Sequence, residues 1–196
     1  MAVEREIKLR FENAQQARDR VLSIGATPLR GRRLQEDCLL DATDDGLYRR
    51  RCVLRVRNDS GKSLLTFKGP VQAGVMKVRE EYETVVADGD TLLTILHQLG
   101  LRVWFRYEKY REEFSAEDVV IAVDETPVGT FVEIEGGADH IHQTAAALGK
   151  TSSDYITDSY RTLFVRYCTE HGLDDSDMIF GTIKAPVAVS VPASHE

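Results

Sequence analysis

Cysteine is scarce in this chain: Cys38, Cys52 and Cys168 are the only three in 196 residues. An odd, widely spaced set gives neither a secreted disulfide framework nor a zinc-type spacing, so free thiols in a reducing compartment are expected. No apolar run is long enough for a membrane span, and the N-terminal stretch has no apolar signal core. The expectation is a cytoplasmic protein with no membrane partner. A basic excess is also lacking. The net charge of −7 argues against a generic nucleic-acid binder, although net charge says little about a single cleft. No Ser/His/Asp or Cys/His nucleophile arrangement is legible. His140 and His142, two positions apart on a helix, face different ways, and His97 reads as packed or solvated. With no tandem repeat and no clear linker, the chain reads as one domain large enough to bury a core.

What the chain has is alternation. In Val3–Phe11, Glu4, Glu6, Lys8 and Arg10 share one face, while Val3, Ile7, Leu9 and Phe11 share the other. A period of two is the mark of a strand. Asn13 then reads as a helix N-cap, with Gln16 completing a capping box and Gly25 as the stop. A polar stretch opened by Pro28 leads to a second strand at about Asp37–Asp41. Cys52–Arg57 and Ser63–Lys68 form a hairpin across Asn58-Asp59-Ser60-Gly61. A strand at about Val75–Val86 puts Lys77, Arg79, Glu81 and Glu83 on one face. Asp90 is the expected cap of a helix carrying Leu92, Leu93, Ile95, Leu96 and Leu99. Lys109 and Arg111 share a face of a strand at about Arg102–Phe114. A hairpin across Pro127 carries Asp124 on one arm and Glu133 and Glu135 on the other. Helices at about Asp139–Leu148 and Asp158–Glu170 complete the expected main domain, 1–175, and 176–196 reads as a flexible tail.

Strand after strand therefore joins an apolar face to a face carrying both signs of charge. Amphipathic helices must cover the apolar faces. A sheet closed into a barrel turns the charged faces inward around a polar lumen. Such charges are costly to bury unless they are paired or hold a ligand. The lumen's candidate cations are Lys8, Arg10, Arg55, Arg57, Lys68, Lys77, Arg79, Lys109 and Arg111. The candidate carboxylates are Glu4, Glu6, Glu81, Glu83, Asp124, Glu133 and Glu135. Guanidinium groups grip phosphate oxygens in pairs, and carboxylates bind Mg²⁺ or Mn²⁺, which bridge phosphates. A polyphosphate with a divalent metal satisfies both sets.

The ordered set Glu4-x-Glu6-x-Lys8, Leu54-Arg55-Val56-Arg57, Thr66-Phe67-Lys68, Arg79-x-Glu81-x-Glu83, Lys109-x-Arg111, Asp124, Gly129-x-Phe131-x-Glu133-Ile134-Glu135 and Ser159-Tyr160 resembles the CYTH proteins, also called triphosphate tunnel metalloenzymes. The resemblance spans roughly Ala2–Arg166. It implies an α+β fold, an eight-stranded antiparallel barrel with helices packed outside, and a tunnel for triphosphate and Mg²⁺ or Mn²⁺. It implies metal binding by Glu4, Glu6, Glu133 and Glu135, and catalysis centred on Glu4, Glu6 and Lys8. It also implies a triphosphate cradle of Lys8, Arg55, Arg57, Lys68, Arg79, Lys109 and Arg111. Glu81, Glu83 and Asp124 are left to a second metal, to orienting water, or to ion pairing with the arginines. The expected activity is metal-dependent hydrolysis of inorganic triphosphate, thiamine triphosphate or a nucleoside triphosphate. The alternatives are a class IV adenylate cyclase and a binding module without turnover. The cyclases often carry a His-Phe pair ahead of the ExExK, and only Met1-Ala2-Val3 precede Glu4 here, which tilts the expectation to hydrolysis. The expected partner is a triphosphate-containing small molecule, with a homodimer left open. Trp104, Phe105 and Tyr107 read as core, with stacking on a base or thiamine ring as the alternative.

Overall fold

The two faces of the first strand part company in the folded chain. In a computed structural model, which describes residues 3–182, the elements run β1 (Val3–Phe11), α1 (Ala14–Ser23), β2 (Thr27–Ala42), α2 (Gly46–Arg49), β3 (Val53–Asp59), β4 (Lys62–Lys68) and β5 (Lys77–Val86). They continue α3 (Gly89–Gln98), β6 (Leu101–Ala116), β7 (Val119–Thr126), β8 (Gly129–Gly136), α4 (Ala138–Ala147), a 3-10 turn at Ser152–Asp154, and α5 (Tyr160–His171). The strands close into an antiparallel barrel in the order β1-β5-β4-β3-β2-β6-β7-β8. The first strand completes the circle, pairing with β5 on one side and β8 on the other. Closure removes the sheet edges and separates an inner from an outer face on every strand.

The outer face of one half forms the main apolar core. Ile7, Leu9 and Phe11 of β1 join Ile121 and Val123 of β7 and Val132 and Ile134 of β8, beneath Ala17 and Val21 of α1 and Ile141, Ala145 and Leu148 of α4. Asn13 caps α1 by accepting from Gln16 N at 2.9 Å. The Gln16 side chain accepts from Glu12 N at 3.1 Å rather than from Asn13, so the expected box closes one residue early. In the β3–β4 hairpin Ser60 and Gly61 both have positive φ, 56° and 82°, the twist that suits a two-residue turn between strands.

Two elements differ from the sequence expectation. The second strand begins at Thr27, not near Asp37, because β6 runs alongside it as far as Ser115, and shifts of register around Arg30 absorb Pro28 and Gly31. The cap of α3 is Asp88, which accepts from Thr91 N at 3.0 Å, rather than Asp90. This helix has no buried residue.

A second apolar cluster lies at one end of the lumen. There Phe105, Tyr107 and Phe131, on the same strand faces as Lys109 and Glu133, pack against Tyr160, Leu163 and Phe164 of α5. This last helix is strapped across the barrel end at both of its ends. Before it, Ile156 exchanges backbone hydrogen bonds with Lys8, 3.0 and 2.9 Å, on the β1 edge beyond the last β5 pair. After it, Met178 donates to Arg106 O and accepts from Glu108 N, both at 2.9 Å, where β7 has stopped pairing with β6. Residues 176–182, expected to belong to a tail, thus begin docked: Met178 is fully buried because it fills the cluster under α5. The remaining tail, 183–196, lies outside the described residues. Among the described residues no helix is long and apolar enough to cross a membrane.

Candidate active site in the barrel lumen

Strand register sets the site. Across the β1–β5 pair Glu4 faces Arg79 and Glu6 faces Lys77; across β1–β8 Lys8 faces Glu133 and Glu6 faces Glu135. The inward row of β1 is thus charged, and three of these four facing pairs are of opposite sign. Every one of Glu4, Glu6, Lys8, Arg55, Arg57, Lys68, Lys77, Arg79, Lys109 and Asp124 is buried. They line one cavity of about 1860 Å³ together with Glu81, Glu83, Arg111, Glu133 and Glu135, Asp124 alone lying behind its wall.

The charges are held in pairs. Lys68 Nζ is 2.6 Å from Glu4 and 2.9 Å from Glu81, and Arg79 Nε donates to Glu4 at 3.0 Å. Glu6 accepts from Lys77 at 2.7 Å and Lys8 at 3.0 Å, and Lys8 also reaches Glu133 at 3.1 Å. Arg111 grips Asp124 with two hydrogen bonds, 2.7 and 2.6 Å, and pairs with Glu133. Lys109 donates to Asp124 at 2.9 Å. On the opposite wall Glu83 accepts from Thr66 Oγ1 at 2.9 Å and lies 3.5 Å from Arg55. Burial alone would push each carboxylate up, but the adjacent cations win and hold Glu4, Glu6, Asp124 and Glu133 below the usual carboxylate range. Burial likewise opposes charge on Lys8, where Glu133 and Glu6 outweigh it and raise the pKa. At Lys77 and Lys109 burial wins, reinforced by Lys8 at the first and Arg111 at the second, and both fall to about 8.

Two residues of this network were not singled out from the sequence. Asp37 of β2 is 1% exposed and takes two hydrogen bonds from Arg57, 2.8 and 3.2 Å. Arg55 Nε lies 3.3 Å from it without a hydrogen bond. Its signal was available, since Asp37 has the inward parity of Leu39 and faces Arg57 in register. Tyr160, named from the sequence only as part of the Ser159-Tyr160 motif, also enters the lumen: its hydroxyl donates to Asp124 at 2.6 Å, and Lys8 and Lys109 lie over its ring at 5.3 and 5.0 Å. Arg10 is the converse. Expected in the lumen, it is exposed, with its guanidinium 4.8 Å from the Phe131 ring centroid. At that level Phe131 has already filled the barrel end.

A divalent metal can be tested against these groups. Among the described residues no three carboxylate, histidine or cysteine side chains gather at one point, because Glu4, Glu6 and Glu133 are each turned onto lysine or arginine. The donor chemistry nonetheless fits a hard cation. Glu135 has no ion-pair partner among the described residues; although its surface is exposed, desolvation by the surrounding lumen wall and the charges of Glu4, Glu6 and Glu81 push it up to about 7. That crowding of carboxylates is what a divalent cation relieves. Glu4, Glu6, Glu133 and Glu135 are the groups that would hold it, the first three on giving up two cationic partners each.

A closed eight-stranded antiparallel barrel whose lumen is lined by basic and acidic side chains defines a tunnel-type barrel protein. The chain belongs to the CYTH domain family, which it matches over residues 2–160. It is 26% identical over 142 residues, 72% of this chain and 81% of the relative, to a Methanocaldococcus jannaschii protein named "Putative adenylate cyclase". A solved structure of a Vibrio parahaemolyticus protein given the same name superposes with a TM-score of 0.73 at 20% identity, covering 83% of this chain and 97% of that one. A Hippeastrum protein, named as an adenylyl cyclase and described as revealing a dominant triphosphatase activity, superposes at 0.63 and 18% identity, covering 84% and 96%. At these identities the two structures establish the shared fold.

Proposed function

We propose that this protein is a divalent-metal-dependent triphosphatase whose substrate lies in the barrel lumen. The observation that carries the reading is the set of buried cations Lys8, Arg55, Arg57, Lys68, Arg79 and Lys109, with half-buried Arg111, around one cavity. Their present partners are carboxylates, which a phosphate chain can replace at the cations while a metal takes up the carboxylates released. Glu4, Glu6, Glu133 and Glu135 would hold a divalent cation, which would supply charge neutralisation of the phosphoryl oxygens and activation of water. The chain's own residues do the rest. Arg55, Arg57 and Arg79 grip oxygens along the phosphate chain. Lys8 and Lys109, fixed beside the Tyr160 ring, meet charge that develops as the bond to the leaving diphosphate lengthens. Positioning and electrostatics of this kind supply most of phosphoryl-transfer catalysis. Hydrolysis needs only water as nucleophile, and a cavity of about 1860 Å³ open at its mouth admits it. Support also comes from the triphosphatase activity described for the Hippeastrum protein of the same fold.

The second reading, cyclisation of ATP to cyclic AMP and diphosphate, is favoured by the name of the 26% identical relative. Purified protein incubated with inorganic triphosphate, thiamine triphosphate and ATP, each with Mg²⁺ or Mn²⁺, separates the readings by product. Phosphate and diphosphate, lost on chelation, are expected. Cyclic AMP would establish the cyclase, and metal-dependent binding without product would establish a binding module. Glu4→Gln and Glu6→Gln should each abolish turnover while leaving the fold intact. Full activity in either would remove the metal assignment.

A further inference from the structure

Among the described residues, three buried side-chain polar atoms have no hydrogen-bond partner: Arg33 Nη2, Arg55 Nε and Gln35 Oε1. Two are guanidinium donors, which suit phosphate oxygens. The third is the only acceptor. A phosphate chain that carries no proton cannot satisfy it, but a water can. We infer that Gln35 Oε1 holds the water that attacks the terminal phosphorus, and that Asp59 fixes the amide so that this oxygen is free to do so. The inference rests on the triphosphatase reading above and adds to it the group that orients the nucleophile.

Three observations carry it. First, Gln35 is 2% exposed yet lines the cavity, so its oxygen meets the lumen rather than bulk solvent. A buried acceptor without a donor is costly. The inward carboxylates nearest it on β2 and β3, Asp37 and Asp59, are already taken by Arg57 and Arg33.

Second, the amide is kept from turning over. Gln35 Nε2 donates to Asp59 Oδ2 at 3.0 Å. Asp59, also 2% exposed, is held by Arg33 Nε at 2.7 Å and by Arg30 Nη2 at 3.0 Å. Burial would raise the pKa of Asp59, but hydrogen bonds from Arg33 and Gln35 and the charges of both arginines keep it below the usual carboxylate range. A reversed amide would set its oxygen against this ionised carboxylate, so the hydrogen-bond network leaves one orientation.

Third, Gln35 adjoins the cradle. It is the register partner of Lys109 on one side and of Asp59 on the other. Side chains directly opposed on one face of a sheet have Cβ atoms about 5 Å apart, so Gln35 borders a phosphoryl group held by Lys109. Along β2 the inward residues run from Leu39, in the cluster under α5, through Asp37 to Gln35. Gln35 thus lies toward the end that α5 does not cover, where water enters. In the step, the water oxygen bonds to the terminal phosphorus while the bond from that phosphorus to its bridging oxygen breaks. The electron pair leaves with diphosphate. One water proton stays on the attacking oxygen, hydrogen-bonded to Gln35, and the other passes to a phosphoryl oxygen of the orthophosphate formed. An amide is too weak a base to take either, so Gln35 orients the water and does not titrate.

The test pairs two measurements on the full chain: steady-state turnover of the triphosphates with Mg²⁺, and calorimetric dissociation constants for inorganic triphosphate with divalent metal chelated. Gln35→Leu should lower kcat about a hundredfold while the dissociation constant stays within about threefold of wild type. Gln35→Glu keeps an oxygen at that point and loses the amide donor; it should recover at least about tenfold in kcat over Gln35→Leu. Asp59→Asn, which frees the amide to turn, should lower kcat about tenfold, again with binding kept. Should Gln35→Leu fail to fold in a melting experiment, Asp59→Asn carries the same test. Full kcat in Gln35→Leu or Asp59→Asn, binding weakened as much as kcat falls, or no recovery in Gln35→Glu overturns the inference and leaves the triphosphatase standing. A wild-type chain that releases no phosphate from any triphosphate overturns both.

Discussion

At the scale of single residues, Asp124 is the most constrained group in the lumen. It is completely buried and carries Lys109, Arg111 and the Tyr160 hydroxyl. Asp124→Asn leaves buried Lys109 and half-buried Arg111 short of their anion and should cost about 3–5 kcal/mol of stability. Tyr160→Phe removes one hydrogen bond to a charged acceptor and should cost about 1.5–3 kcal/mol. Urea titrations of the two variants check the order; a Tyr160→Phe change as large as that of Asp124→Asn would mean the ring packing, not the hydroxyl, is what matters. Glu135 gives a prediction of opposite sign. Its folded pKa of about 7 lies above the unfolded value, so the folded state holds the extra proton. Its contribution to stability is full below the unfolded pKa and is lost as pH rises through about 7. Glu135→Gln should match wild type in melting temperature at about pH 4 and exceed it at pH 8. Added Mg²⁺ should narrow the gap by raising the wild type. Most charged rows were legible from parity alone, because alternation in β1, β3, β5 and β8 is regular. Asp37 was missed because the reading gave its strand too short an N-terminal half, so its inward face was not followed. Tyr160 was given no place in the lumen because a residue that begins a helix shows no strand parity to place it inside.

At the scale of elements, the strap that carries α5 is the feature least visible in sequence. Its two anchors, Ile156 on β1 and Met178 on β6, are single backbone pairings that leave no periodic signal. The polar stretch 29–35 hid its strand for a related reason: both faces carry arginine or glutamine, so no apolar row marks an inside, and only the long partner β6 fixes its register. Met178 is fully buried under α5. Met178→Ala should cost about 2–5 kcal/mol, concentrated in the strap. Hydrogen exchange should then show faster exchange at Arg106 through Glu108 and in α5, with β1 and β8 unaffected. Uniform acceleration would instead make α5 part of the global unit. The third helix sits at the other extreme. It buries no residue, although five large aliphatic side chains lie along it and at its C-cap, so its order rests chiefly on the Asp88 cap and partial contacts. Asp88→Ala should cost about 1 kcal/mol and raise exchange within α3 alone.

At the scale of the molecule, the chain is acidic overall, with a net charge of −7, yet it surrounds a lumen where cations are buried beside their partners. A triphosphate entering that lumen changes its proton balance. Lys77 and Lys109 sit at about 8 in the free protein, driven down by burial and by neighbouring cations. In the unfolded chain they return to the usual lysine value of about 10.4. Between these limits the unfolded state binds more protons, so stability contributed by these lysines is complete above the unfolded pKa and is lost as pH falls through about 8. The free protein should therefore gain stability from this source as pH rises from about 8 to about 10. Ligand binding should respond in the opposite direction. A polyanion beside the two lysines favours their charged forms, so protons are taken up on binding near pH 8.5 and affinity falls as pH climbs. Calorimetry of inorganic triphosphate at pH 8.5 in buffers of differing ionisation enthalpy should show net proton uptake. Lys109→Arg, which keeps its charge at every working pH, should reduce that uptake. Saturating ligand should raise the melting temperature, by the equivalent of about 2.7 kcal/mol at a hundredfold excess over the dissociation constant. Stabilisation without proton uptake would put the anion away from both lysines, at the open end of the lumen. Uptake abolished by Lys109→Arg but not by Lys77→Arg would put the anion at the α5 end, against Tyr160.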